Sequence, residues 1–185
     1  MEISKDSTIT TNTYNINDHN DKKRLIEKNL IANKLNNAIN VIFSKSCYIK
    51  TNTSSLNTNQ DDINLFFHNS KNSFNISVLE YLNRLIRYTE AEISSIIYAF
   101  VLLDNISSYI KVDNSNIYLL LITSFVISLK MNEDYVYKNS DYALIGGLSL
   151  KKLNKLETVY LQTLNYNVFI NNDIVNSYIK FLTKV

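Results

Sequence analysis

The chain has no proline, no tryptophan, two glycines, one cysteine and two histidines among its 185 residues, and these shortages close off several kinds of chemistry. A lone Cys47 cannot form an internal disulfide, and it suits a reducing compartment. Metal centres and nucleophilic sites need several ligands or partners at set spacings. His19, His68 and Cys47 supply no H-x-x-x-H, C-x-x-C or G-x-S-x-G pattern, so nothing here asks for a metal or a cofactor. Phosphate-cradling loops need glycine, and Gly146-Gly147 without a following Lys-Ser/Thr reads as a helix stop. Charge of one sign is also scarce. Nineteen Lys+Arg against 17 Asp+Glu leave a net charge of +2, too little to argue for nucleic acid. The densest basic tract, Asp21-Lys22-Lys23-Arg24, reads as a solvated helix start. The opening residues have no apolar signal core, and Glu2 excludes the glycine that myristoylation needs. Abundant Asn, Ile, Lys and Tyr fit the codon bias of an AT-rich genome and report ancestry more than chemistry.

What is present is a 45% hydrophobic chain of a length that builds one sizeable core. The apolar run from Ile117 to Asp134 leaves no wet face. It falls short of the roughly 20 residues needed to cross a bilayer, and polar Ser115, Asn116 and Lys130 bracket it. A buried strand is the alternative reading, but the length favours a central helix surrounded by protein. Thr123, Ser124 and Ser128 can return their hydroxyls to helix carbonyls, which lets neighbours approach closely.

The rest of the pattern is helical. Residues 1–21 are polar and read as a disordered tail; 22–47 carry a striped helix with Leu25, Ile26, Leu30, Ile31, Leu35, Ile39 and Ile42; 48–66 read as a polar linker. From Asn75 a compact block begins. Ser77 and Glu80 have capping-box spacing ahead of a helix at about 78–88, and Thr89 with Glu92 repeats that spacing for the next. Asp113 or Ser115 is placed to cap the central helix, Ser149 the helix after the glycines, and Asp173 the last. Four charges sit within apolar helices: Arg84, Asp104, Lys130 and Glu157. A charge near a core costs several kcal/mol unless paired, so each needs a partner or a route to water.

Several stretches match one family. Phe67-His68-Asn69-Ser70, followed by Ile76 to Leu85, resembles the opening of the cyclin box in the P-type (P/U-type) cyclins, the group of the yeast phosphate-response cyclins. Tyr98 to Asp104 resembles that family's second helix and Leu120 to Ser124 its third. The most specific match is Asn139, Tyr142, Ala143, Gly146 and Gly147 with Leu153-Asn154-Lys155-Leu156-Glu157, similar to the subgroup signature N-x-x-Y-A-x-V-G-G-I-S…L-N-x-L-E.

The resemblance implies an all-α fold: a single five-helix cyclin box with a closing C-terminal helix at 67–185, around a buried central helix, with an extra N-terminal helix. The second box of cyclin A is expected to be absent. It implies no catalysis by the chain itself. The expected role is that of a regulatory subunit in a heterodimer, binding and activating a cyclin-dependent protein kinase by positioning its αC helix. Such control belongs to the cell cycle or to nutrient and developmental responses, in the cytoplasm, the nucleus or both. Lys130 and Glu157 match the residues that hold the kinase, and Arg84 and Asp104 match an internal ion pair bracing the first two box helices. Asn83 and Glu90 stand where cyclin A has the Met and Trp of its substrate-docking groove, so that groove is not expected. Departures at Asn105, Tyr118 and Leu119 suggest the alternative of a cyclin-fold adaptor for a non-kinase partner. Neither nucleic acid nor a membrane is expected as a partner.

Overall fold

The structure is a computed structural model that describes residues 19–44, 60–66 and 75–184. Eight α-helices follow one another, and no strand occurs among the described residues: α1 (His19–Ser44), α2 (Gln60–Ile63), α3 (Val78–Thr89), α4 (Ile93–Ile106), α5 (Ile117–Asn132), α6 (Asn139–Gly146), α7 (Leu150–Thr163) and α8 (Asn172–Lys184). A short 3-10 turn, Asn64–Phe66, extends α2. Helices α3 to α7 form the expected five-helix block, with α1 and α8 laid against it.

The all-apolar run becomes the axis of the fold. Every residue of α5 from Leu119 to Leu129 is buried, and α3, α4, α6 and α7 all pack on it. Its small polar residues behave as small residues should in a core. Thr123 Oγ1 donates to the Leu119 carbonyl at 2.7 Å and Ser124 Oγ to that of Leu120 at 2.8 Å. Ser128 differs, donating across to the Ser95 carbonyl of α4 at 2.6 Å and so stitching α5 to α4. Ser124 also shares a 2.7 Å hydrogen bond with the Tyr160 hydroxyl of α7, whose pKa burial pushes up.

Local signals set several helix ends. Ser77 Oγ accepts from the Glu80 N–H at 3.2 Å while the Glu80 carboxylate accepts from the Ser77 N–H at 2.7 Å, the full reciprocal box at the start of α3. Ser149 Oγ accepts from Lys152 N–H at 3.2 Å and starts α7. Gly147, at φ 70°, closes α6 in the left-handed conformation. Gly146 is needed for a different reason. An added Cβ there would lie 2.8 Å from Ile122 Cγ1, so α6 touches α5 through the missing side chain.

Other ends depart from the sequence reading. Thr89 does not begin a second box; its hydroxyl donates to the Leu85 carbonyl, and Glu92 is the N-cap of α4 with no capping hydrogen bond from its side chain. Neither Asp113 nor Ser115 caps α5. Asp113 Oδ1 instead accepts from Ser115 N–H at 2.9 Å, Asn116 Oδ1 accepts from Asp113 N–H at 3.0 Å, and Asn116 is the N-cap residue. At α8 it is Asn171 whose Oδ1 accepts, from the Asp173 N–H, leaving Asp173 in the first turn. In each case several short polar residues compete for one cap, and tertiary placement decides among them.

The domain edges shift as well. Residues 19–21, read as tail, open α1, which ends at Ser44. Only the C-terminal half of the striped face is buried, through Ala32, Leu35, Ala38, Ile39 and Ile42; Leu25, Ile26 and Leu30 remain exposed. The other half is held by polar ties, an Arg24–Glu92 ion pair and a bond from Lys28 Nζ to the Glu90 carbonyl at 3.4 Å. The end of the linker is docked too. Ile63 and Phe66 are buried, Phe66 meets the Tyr160 ring edge-on at 6.1 Å, and Lys155 pairs with Asp62 at 2.8 Å. Residues 1–18, the linker at 48–59, 67–70 with His68, and 45–47 with Cys47 lie outside the described residues.

Candidate protein-docking site

Lys130 and Glu157 come together. Lys130 is an exposed residue of the last turn of α5, where a cation complements the carbonyl end of the helix. Glu157 stands on α7, on the same face as Leu150 and Asn154 by the i, i+4, i+7 spacing. Lys130 Nζ lies 2.6 Å from Glu157 Oε1. Asn139, the first residue of α6, completes the cluster: its Nδ2 donates to Glu157 Oε2 at 2.9 Å and to Asn154 Oδ1 at 2.8 Å. The two N–H groups of one amide thus serve two acceptors, and both carboxylate oxygens of Glu157 are held.

Three helices therefore fix one carboxylate. The lysine side chain is 34% exposed and the glutamate 15%, so the pair is ordered yet reachable. Lys130 has further N–H groups, and Glu157 has further lone pairs, to offer a backbone carbonyl and N–H of another protein. Met131, Leu144 and Leu150 lie exposed on the same three helices.

Arg84 and Asp104 do not form the expected ion pair. Arg84 Nε donates to the Ile145 carbonyl at 2.7 Å, and its guanidinium stands 5.9 Å from the centre of the Tyr88 ring. It satisfies a carbonyl at the end of α6, where a cation is favoured. Asp104 instead accepts from the Tyr178 hydroxyl of α8 at 2.5 Å. Burial and this acidic neighbour both push the Tyr178 pKa up, so the phenol stays a donor. The brace between the first two box helices is replaced by one between α3 and α6 and another between α4 and α8.

The signature residues around Asn139 prove mostly architectural. Tyr142 is buried, accepts from Tyr137 N–H at 3.2 Å and meets the Tyr137 ring edge-on. Ala143 is buried, and its carbonyl accepts from Leu148 N–H at 2.8 Å. The Gly146 carbonyl accepts from the Tyr81 hydroxyl at 3.0 Å. Asn154 was not foreseen as part of the cluster. Its signal was its place three residues before Glu157, which puts both on one helix face.

This geometry has a family. A model of the cyclin family matches residues 7–168. The chain belongs to the cyclin family. Cyclin-U4-1 of Arabidopsis thaliana is 31% identical over 112 residues, covering 59% of this chain and 55% of that protein. Cyclin-U2-2 of the same plant is 34% identical over 106 residues, covering 56% and 46%. PHO85 cyclin-7 of Saccharomyces cerevisiae is 30% identical over 128 residues, covering 62% and 45%. This cyclin spans about half the length of the curated relatives it matches. Its likeness to plant U-type and yeast PHO85 cyclins makes it a cyclin of the P/U type. Among the described residues no helix is long and apolar enough to cross a membrane, and no group of three or more candidate ligands could hold a metal ion.

Proposed function

We propose that this cyclin is the regulatory subunit of a cyclin-dependent protein kinase, in which Lys130 and Glu157 grip the backbone around the kinase's mobile αC helix. The observation that carries the reading is the Lys130–Glu157 pair, held at 2.6 Å by residues of three helices and left open to solvent. Family membership and the PHO85 cyclin among the relatives support it. In protein kinases a glutamate of αC must pair with a strand-β3 lysine before ATP is held correctly, so a protein that packs αC inward controls activity without doing chemistry. The kinase shifts toward its active form only as far as this cyclin binds that form more tightly. The role places the heterodimer in the cytoplasm, the nucleus or both, in cell-cycle or nutrient and developmental control.

The test is co-purification. Lys130→Ala with Glu157→Ala abolishes recovery and activation of the kinase while the helical circular dichroism is unchanged. A soluble double variant that still pulls down and activates the same kinase overturns the reading. The adaptor alternative loses two of its three motives. Tyr118 is a structural residue, its hydroxyl donating to the Ile76 carbonyl at 2.7 Å, and Leu119 is buried, so neither is a changed surface. Recovery of a non-kinase partner alone is the result that would favour the adaptor.

A further inference from the structure

The loop between α5 and α6 presents one side chain in an unusual way. Tyr135 is 96% exposed, the most open of the exposed large hydrophobic side chains of the described residues. The presentation is built. On one shoulder, Glu133 Oε1 accepts from the Glu92 N–H at 3.0 Å and from Ser95 Oγ at 2.7 Å. On the other, Tyr137 is tied to Tyr142 by its N–H and by its ring. Between these anchors, Asp134, Tyr135 and Val136 arch outward with no helical backbone, so the segment can lie extended in another protein's cleft.

The arch also joins two of the helices that build the docking site. Lys130 stands five residues before Tyr135 and Asn139, the hydrogen-bond partner of Glu157, four after it. At no more than about 3.6 Å per residue, the Tyr135 Cα lies within about 18 Å of that of Lys130 and about 14 Å of that of Asn139.

We propose that Tyr135 is a phosphorylation site whose phosphate blocks partner binding at Lys130 and Glu157. The second half of this inference rests on the proposed kinase-binding role of that pair. The phenol oxygen attacks the γ-phosphorus of magnesium-bound ATP in the site of a tyrosine-directed protein kinase. An O–P bond forms, the bond to the β,γ-bridging oxygen breaks, ADP leaves, and that kinase's catalytic base takes the phenolic proton. Asp134, exposed immediately before the acceptor, suits an enzyme with a basic substrate cleft. The product carries close to two negative charges on the loop that joins two of the helices of the cluster. The phosphate competes with Glu157 for Lys130 and repels acidic groups of an incoming partner.

The test uses the full chain. It is incubated with magnesium ATP and a purified tyrosine kinase that prefers acidic residues before its target, and the sites are mapped by mass spectrometry. Tyr135 gains phosphate at least about tenfold faster than Tyr88, Tyr109, Tyr137 or Tyr166, and Tyr135→Phe loses most incorporation, as the difference in presentation and charge requires. Equal labelling of Tyr166, or none at Tyr135, overturns the assignment. Chain carrying phosphotyrosine at 135 then binds the co-purified kinase at least about tenfold more weakly, phosphatase restores binding, and unmodified Tyr135→Phe binds like wild type. Undiminished binding by the phosphorylated chain overturns the blocking role. If the Lys130→Ala/Glu157→Ala variant also binds normally, it is the kinase-binding reading that has failed, whereas the phosphate map is unaffected by that result.

Discussion

Asn139 and Glu157 are joined at 2.9 Å across the α6–α7 packing, and this bond holds the oxygen of Glu157 that Lys130 does not. A glutamate so tied is preorganised, since less side-chain freedom remains to be lost when a partner arrives.

If the pair holds a kinase as proposed, Asn139→Ala weakens that binding several-fold without unfolding the chain. One hydrogen bond to a charged group is worth about 1.5–3 kcal/mol at most, and less where water can replace it. Lys130→Ala should change unfolding free energy by under about 1 kcal/mol, because an accessible ion pair contributes little to folding. Isothermal titration against the purified kinase, beside urea denaturation of each variant, separates binding from stability. A large loss of stability in Lys130→Ala would mean that the pair braces the bundle.

The two glycines should fail for different reasons. Gly146→Ala sets a Cβ against Ile122 in a filled core and should destabilise by about 1–3 kcal/mol through overpacking. Gly147→Ala has the strain of a left-handed backbone, about 1–2 kcal/mol, and Gly147→Asn should recover part of it. In a double-mutant cycle, Ile122→Ala, which removes the Cγ1 that the new Cβ meets, should offset only the first. Denaturant midpoints decide; equal coupling of both glycine variants to Ile122→Ala would contradict the packing account.

Acid should loosen α3 through Glu80. The Ser77 N–H, and after it the Ser77 hydroxyl, hold the Glu80 carboxyl below its ordinary value of 4.5. The capping contribution is complete well above pH 4.5. Below that the unfolded chain binds a proton that the folded chain refuses, so stability falls until the folded carboxyl is protonated too. Glu80→Gln should flatten that part of the pH–stability curve, measured as thermal midpoint from pH 6 down to 3. A Gln variant with the same acid slope as wild type rules out this residue as the source.

The readable features were those encoded by adjacent residues or by continuous patterns. The buried α5 followed from an apolar run with no wet face, the α3 start from Ser77 and Glu80 three apart, and the α6 stop from Gly147. The Lys130–Glu157 meeting was expected from family likeness, not from any local spacing. Asn139 donating to that glutamate was not foreseen, because it depends on how α6 lies against α7. Half of the α1 stripe stays uncovered for a related reason. Leu25, Ile26 and Leu30 obey helical periodicity, but the bundle covers only the later turns of that helix.

Arg84 and Asp104 offer the sharpest check on where family likeness stops. Each charge has another partner: Arg84 the Ile145 carbonyl and the Tyr88 face, Asp104 the Tyr178 hydroxyl. Arg84→Ala and Asp104→Ala should each destabilise, the first by loosening α6 from α3 and the second by leaving a half-buried phenol of α8 without its acceptor. Their effects should then add, with a coupling below about 0.5 kcal/mol in a double-mutant cycle, as expected for sites that share no contact. Tyr178→Phe combined with Asp104→Ala should show the coupling that Arg84 lacks. If the Arg84–Asp104 cycle instead returns more than about 1 kcal/mol, the two residues act as a pair and the braces described for α6 and α8 are not the dominant ones.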